Sequence, residues 1–74
     1  MTNETWARVT EICDTLMRKR ECQDASATYD GKGIRFVVKA RKMHFVQWPI
    51  GDVTKFAPKT LAGFVWDVVE WEQG

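Results

Sequence analysis

Two stretches of three-and-four apolar spacing stand near the two ends of the chain, and the sequence between them consists of strand and turn signals. Trp6, Val9, Ile12, Cys13, Leu16 and Met17 form the first stretch. A helix from Asn3 to about Arg20 would carry them on one side and Arg8, Glu11, Thr15 and Arg18 on the other. Leu61, Phe64, Val65 and Val68 form the second, at i, i+3, i+4 and i+7. It follows Pro58, whose φ is preset and whose missing amide would be unpaired in a first helical turn anyway. Each helix can bury its stripe only against something else that is apolar. Ordering a residue costs roughly 1.5 kcal/mol, so a chain of 74 residues must put nearly all of its apolar side chains into one core. One domain over residues 1–74 follows, with no room for a separate catalytic domain. Four Trp, four Phe and one Tyr at a net charge of +1 argue against disorder.

The middle of the chain supplies the surface that the helices need. Residues 23–29 alternate small or aromatic with polar side chains, and Asp30-Gly31-Lys32-Gly33 reads as a hairpin turn. Ile34 to Ala40 and Met43 to Trp48 are strands by β-branched and aromatic content, separated by Arg41-Lys42 and stopped by Pro49 and Gly51. The expected fold is α+β, in the order α-β-β-β-α: a three-stranded antiparallel sheet with two helices packed on one face, and a short extra helix near Asp52 to Phe56. Thr2 or Asn3 caps the first helix. Two-residue turns at Gly31-Lys32 and Arg41-Lys42 set the register. They pair Tyr29 with Ile34, Ala27 with Phe36 and Val38 with Phe45 toward the helices. Three outer rows remain: Thr28, Arg35, Trp48; Ser26, Val37, Val46; Asp24, Lys39, His44. On that face Arg35 could stack on Trp48. A slip of one residue in the third strand would turn Trp48 and Val46 inward and Phe45 outward.

Near neutrality conceals a segregation of charge. Residues 31–59 hold seven basic side chains, Lys32, Arg35, Lys39, Arg41, Lys42, Lys55 and Lys59, against the single acid Asp52. The last fifteen residues hold Asp67, Glu70 and Glu72 and no base. The molecule is therefore expected to be dipolar, with a basic hairpin and an acidic last helix. Trp66 falls about 140° from Leu61 on a helical wheel, off the apolar stripe, so it either packs on the linker of residues 50–57 or anchors a partner. Trp71 carries the same ambiguity, with the greater weight on covering the helix pair.

The chemistry-bearing residues do not form a catalytic set. His44 has no nucleophile partner in the sequence and reads as a solvated strand residue. The Gly31-Lys32 pair lacks the upstream glycine and following Ser or Thr of a phosphate loop. Cys13 falls on the apolar helix face as a small buried hydrophobe, whereas Cys22 is more open and able to bridge between molecules on oxidation. Together with His44 they are one ligand short of a closed zinc site, so no metal or other cofactor is expected. Met1 to Arg8 shows no apolar leader and no 18-residue apolar run occurs, which points to a cytoplasmic chain without membrane contact.

These features lead to an expected non-enzymatic module that binds a larger protein, with a nucleic-acid-binding protein as one candidate, as monomer or weak homodimer. The candidate contact residues are Arg35, Lys39, Arg41, Lys42, His44 and Trp48 on the basic sheet face, and Trp66, Asp67 and Glu70 on the acidic helix. In size and style the chain resembles the compact inhibitors that phages and mobile elements direct against host machinery, anti-CRISPR proteins among them. That resemblance implies blockage of a host protein in the host cytoplasm by occupation of its surface. The alternative is binding of double-stranded RNA or DNA through the basic hairpin. The α-β-β-β-α order is similar to that of double-stranded RNA-binding domains, and Lys55 and Lys59 stand near the start of the last helix, where that family contacts phosphates. The run Thr54 to Lys59 departs from the family in lacking an adjacent lysine pair.

Overall fold

The computed structural model describes residues 2–74; Met1, included in the expected domain, lies outside the described residues. The elements run α1 (Asn3–Met17), β1 (Asp24–Tyr29), β2 (Gly33–Lys39), β3 (Met43–Pro49), α2 (Ile50–Lys55) and α3 (Pro58–Gln73). The three strands form an open antiparallel sheet in the order β1-β2-β3, an α+β fold as expected. Alternate residues of the strands, among them Ala25, Ile34, Phe36, Val38 and Val46, enter one core with Val9, Ile12 and Leu16 of α1 and Leu61, Val65 and Val69 of α3. The helices therefore cover one face of the sheet and leave the other bare.

Thr2 caps α1, its Oγ1 accepting the Thr5 amide at 3.1 Å. The helix stops at Met17, where the Arg18 and Lys19 amides turn back to the Thr15 and Leu16 carbonyls, so Arg18 to Arg20 lie beyond it rather than within it. Its buried stripe is Thr5, Val9, Ile12 and Leu16. Trp6 and Met17, expected in the stripe, fall with half-buried Cys13 on its flank and are exposed. The first hairpin follows its expected register, with Tyr29 opposite Ile34 and Ala27 opposite Phe36. Among the described residues Gly31 alone has positive φ, +89°, the pattern of a type II′ turn. Asp30 Oδ1 accepts the amides of Lys32 and Gly33, each at 3.0 Å, and these bonds hold its carboxyl below the usual value. Their contribution is present at neutral pH and is lost as pH falls through that lowered value.

The second hairpin differs from expectation by one residue. Lys39 pairs with Met43, so three residues, Ala40 to Lys42, make the turn, with the Ala40 amide bonded to the Lys42 carbonyl at 3.1 Å. Ala40 is buried and belongs to the core, continuing the inward row of Ile34, Phe36 and Val38, and the extra turn residue changes the facing of β3 alone. Val38 therefore faces His44, and Ile34 faces Trp48. Burial of Val46 and Trp48 beneath the helices, with Phe45 left outside, overturns the expected rows.

The expected short helix is present as α2, starting two residues and ending one residue earlier than its sequence signals, and it inserts Val53 into the core. Arg8 reaches from α1 to the Phe56 carbonyl at 3.2 Å. In α3 the buried residues are Leu61, Ala62, Val65, Trp66 and Val69, so the stripe is rotated toward α1 and Phe64 is moved to its margin. There Phe64 packs on Trp48 and edge-on against Phe56, with ring centroids 6.0 and 5.9 Å apart, closing the corner between β3, α2 and α3.

Two glycines test this packing in opposite directions. A Cβ at Gly33 would collide with the Trp48 backbone carbonyl, whereas one at Gly63, inside α3, meets nothing within 4 Å. Gly33→Ala is expected to lose about 1–3 kcal/mol, and Gly63→Ala to gain about 0.5–1 kcal/mol. Urea midpoints followed by far-UV circular dichroism measure both.

Candidate functional site

The residues singled out from sequence divide by exposure. Arg35, Lys39, Arg41, Lys42, Asp67 and Glu70 are exposed, whereas His44 and Trp66 are buried and Trp48 is half-buried. The last three are corrections. The register change turns His44 and Trp48 to the helix side, so Arg35 lies opposite Gln47 on the other face and makes no stack with Trp48. Trp66, 8% exposed, joins the core, because the rotated α3 stripe lays it against the α1 side rather than against the linker.

His44 is the most enclosed polar side chain described, at 2% exposure. Its Nδ1 lies 2.7 Å from Glu72 Oε1 and its Nε2 lies 3.2 Å from Gln73 Oε1, and the Gln73 oxygen also accepts the Arg41 amide at 2.9 Å. A buried ring with polar partners on both nitrogens is held in place rather than available to a substrate. The cluster clasps the last turn of α3 to β3 and to the basic turn. Trp48 Nε1, by contrast, is buried without a hydrogen-bond partner.

Neither thiol is activated. Burial, reinforced by Asp14, Asp24 and Cys22, pushes Cys13 up to about 11, and burial also raises Cys22, whose Sγ donates to the Asp24 carbonyl at 3.3 Å. Both cysteines are free and half-buried, and among the described residues no group of His, Cys, Asp or Glu is placed to hold a metal ion.

The basic side chains do not form one patch. Pairing of Gly33 with Pro49 and of Lys39 with Met43 sends Lys32 and Lys55 to one end of the sheet and Arg41 and Lys42 to the other, leaving Arg35 and Lys39 on the bare face. Lys19 and Arg20 from the end of α1 join Arg41 around a cleft of about 560 Å³ with Glu21, Trp66, Glu70 and Gln73. Glu21 lies 3.7 Å from Arg41 there, both exposed, so this end mixes both signs.

Two uncovered surfaces remain, on opposite sides of the molecule. On the bare sheet, Val37 and Phe45 are cross-strand partners between the pairs Arg35–Gln47 and Lys39–Met43. Phe45 is 62% exposed, and a depression of about 380 Å³ lies between it, Arg35 and Gln47. On the outer side of α3, Trp71 is 82% exposed, one turn beyond Asp67 and next to Glu70, with Phe64 two turns back at the helix margin. Phe45 was within reach of sequence reasoning as the stated consequence of a one-residue slip. Exposure of Trp71 had no sequence signal beyond its position past the last residue that the core requires.

No family model matches the chain, and no curated protein and no solved structure is significantly similar to it.

Two measurements check these environments. His44→Ala is expected to cost about 2–4 kcal/mol through lost packing and hydrogen bonds. Glu72→Ala is expected to cost only about 1 kcal/mol while raising amide exchange in the last turn of α3. Alkylation of Cys13 should keep accelerating up to about pH 11, as mass-resolved labelling would show.

Proposed function

We propose that the protein is a small non-enzymatic binding module that occupies the surface of a larger protein through the outer face of α3. The single observation that carries this reading is Trp71, whose indole is 82% exposed on a regular helix. An uncovered indole is uncommon on a folded surface and is the side chain most enriched at interface hot spots. Asp67 and Glu70 flank it with acids, while Lys19, Arg20 and Arg41 stand across the cleft from Glu70, so the partner surface that complements the helix itself is basic, as in a protein that itself handles nucleic acid. The acidic-helix surface expected from sequence thus keeps its charge and takes Trp71 as anchor in place of Trp66.

The remaining chemistry is consistent with binding rather than turnover. The only histidine is enclosed in the clasp, and both thiols are held protonated. A chain made almost entirely of one core and its covering helices acts best by being in the way. An inhibitor of the kind that phages direct at host proteins is the form this function takes in our reading. No helix among the described residues is long and apolar enough to cross a membrane.

Affinity capture from a lysate of the native host, with wild type and variants side by side, tests the reading. Trp71→Ala should weaken retention of the partner more than tenfold, the loss for a hot spot of about 2 kcal/mol, with thermal stability unchanged. Asp67→Lys/Glu70→Lys should weaken it and remove its salt dependence. Full retention by Trp71→Ala would sink the proposal.

A further inference from the structure

The bare face of the sheet lies opposite α3 and is not used by the reading above. We propose that it is a platform for single-stranded nucleic acid, with Phe45 as the base-stacking residue and the basic side chains along β2 as the backbone track.

Three observations carry this. The face is centred on an aromatic ring that the fold leaves uncovered: Phe45 stands beside Val37, while its strand neighbours His44 and Val46 are buried beneath the helices. A base can lie flat on such a ring, because every base has a π-face. The depression beside Phe45 is bordered by Arg35, a cation for phosphate, and by Gln47, whose Nε2 donates to Asp30 Oδ2 and whose amide oxygen remains as an acceptor for a base edge. Finally, cations follow β2 from one turn to the other, in the order Lys32, Arg35, Lys39 and Lys42, all exposed. Arg35 and Lys39 point to the same side of the strand four residues apart, roughly 13 Å. Two acids stand at the ends of this face, Asp24 opposite Lys39 and Asp30 bonded to Gln47 in the first turn, so the track between them rests on Arg35 and Lys39.

Charge and dimensions select the occupant. A second copy docking by the same face would bring Arg35 and Lys39 against themselves. A protein partner normally buries roughly 800 Å² per side, whereas three strands of at most seven residues offer a strip roughly 10 Å by 20 Å. An extended single strand fits a narrow track of this kind. A duplex does not, because its bases are stacked on one another and present no free face to Phe45.

Fluorescence anisotropy of a short dye-labelled oligothymidylate, and of its oligouridylate counterpart, is the test. Binding is expected at low salt and should weaken as salt rises. The slope of log K against log salt should be about −2, for roughly three neutralised phosphates. Phe45→Ala should weaken binding roughly tenfold, and Arg35→Glu more, with circular dichroism unchanged in both. Trp71→Ala should leave oligonucleotide binding as in wild type, so loss of this proposal and loss of the α3 reading are separate results. The proposal is overturned by absence of binding at low salt or by Phe45→Ala binding as tightly as wild type. Equal affinity for a duplex of the same sequence overturns it too. Equal affinity for polyglutamate would assign the face to an acidic protein instead.

Discussion

Everything on either side of the sheet depends on the turn at Ala40 to Lys42. Side chains of a strand alternate with a period of two, so one residue more or less in a turn exchanges the two faces of the strand that follows. With three residues in the turn, Lys39 meets Met43, and β3 buries His44 and Val46 and half-buries Trp48 while exposing Met43, Phe45 and Gln47. The choice is energetic. This register seals Val46 beneath the helices and gives the His44 ring its oxygen partners at the end of α3. The alternative would bury Phe45 but leave two β3 positions, Val46 and the much larger Trp48, facing water.

Local chemistry made most of the architecture legible. Thr2 as cap, Pro58 at the start of α3, the Gly31-Lys32 turn and the β-branched run of β2 each specify an element without help from the rest of the chain. Facing was legible only where a turn was. The first hairpin has a glycine with positive φ and an Asx bond that fix its length, and its register follows from sequence. The second has Ala40, Arg41 and Lys42, none of which demands a special backbone conformation, so its length is decided by which face of β3 packs beneath the helices. The same reasoning applies to α3. Leu61, Phe64, Val65 and Val68 define a plausible stripe, but contact with α1 draws Ala62, Trp66 and Val69 inward and pushes Phe64 against Trp48 and Phe56. For the candidate sites, charge and exposure of Arg35, Lys39, Asp67 and Glu70 were legible, and the aromatic residues beside them were not.

The two uncovered surfaces are opposed in sign as well as in position. Phe45 sits among bases and Trp71 among acids, and the core lies between them. Near neutrality in this protein is a cancellation between separated groups of charge, bases in residues 31–59 and acids in the last fifteen among them. Such a molecule presents different chemistry to partners approaching from its two sides without interference between them.

The pairing of α1 with α3 has a consequence for how the protein is made. Val9, Ile12 and Leu16 emerge first during synthesis, yet they share their core with Leu61, Val65 and Val69, about fifty residues later. Closing a loop of that length is entropically slow compared with forming either hairpin. While the ribosome is still adding α3, the sheet has one helix and half a roof. Trp66 and Val69 have to arrive before the inner face is dry, so the fold closes only after α3 has been added.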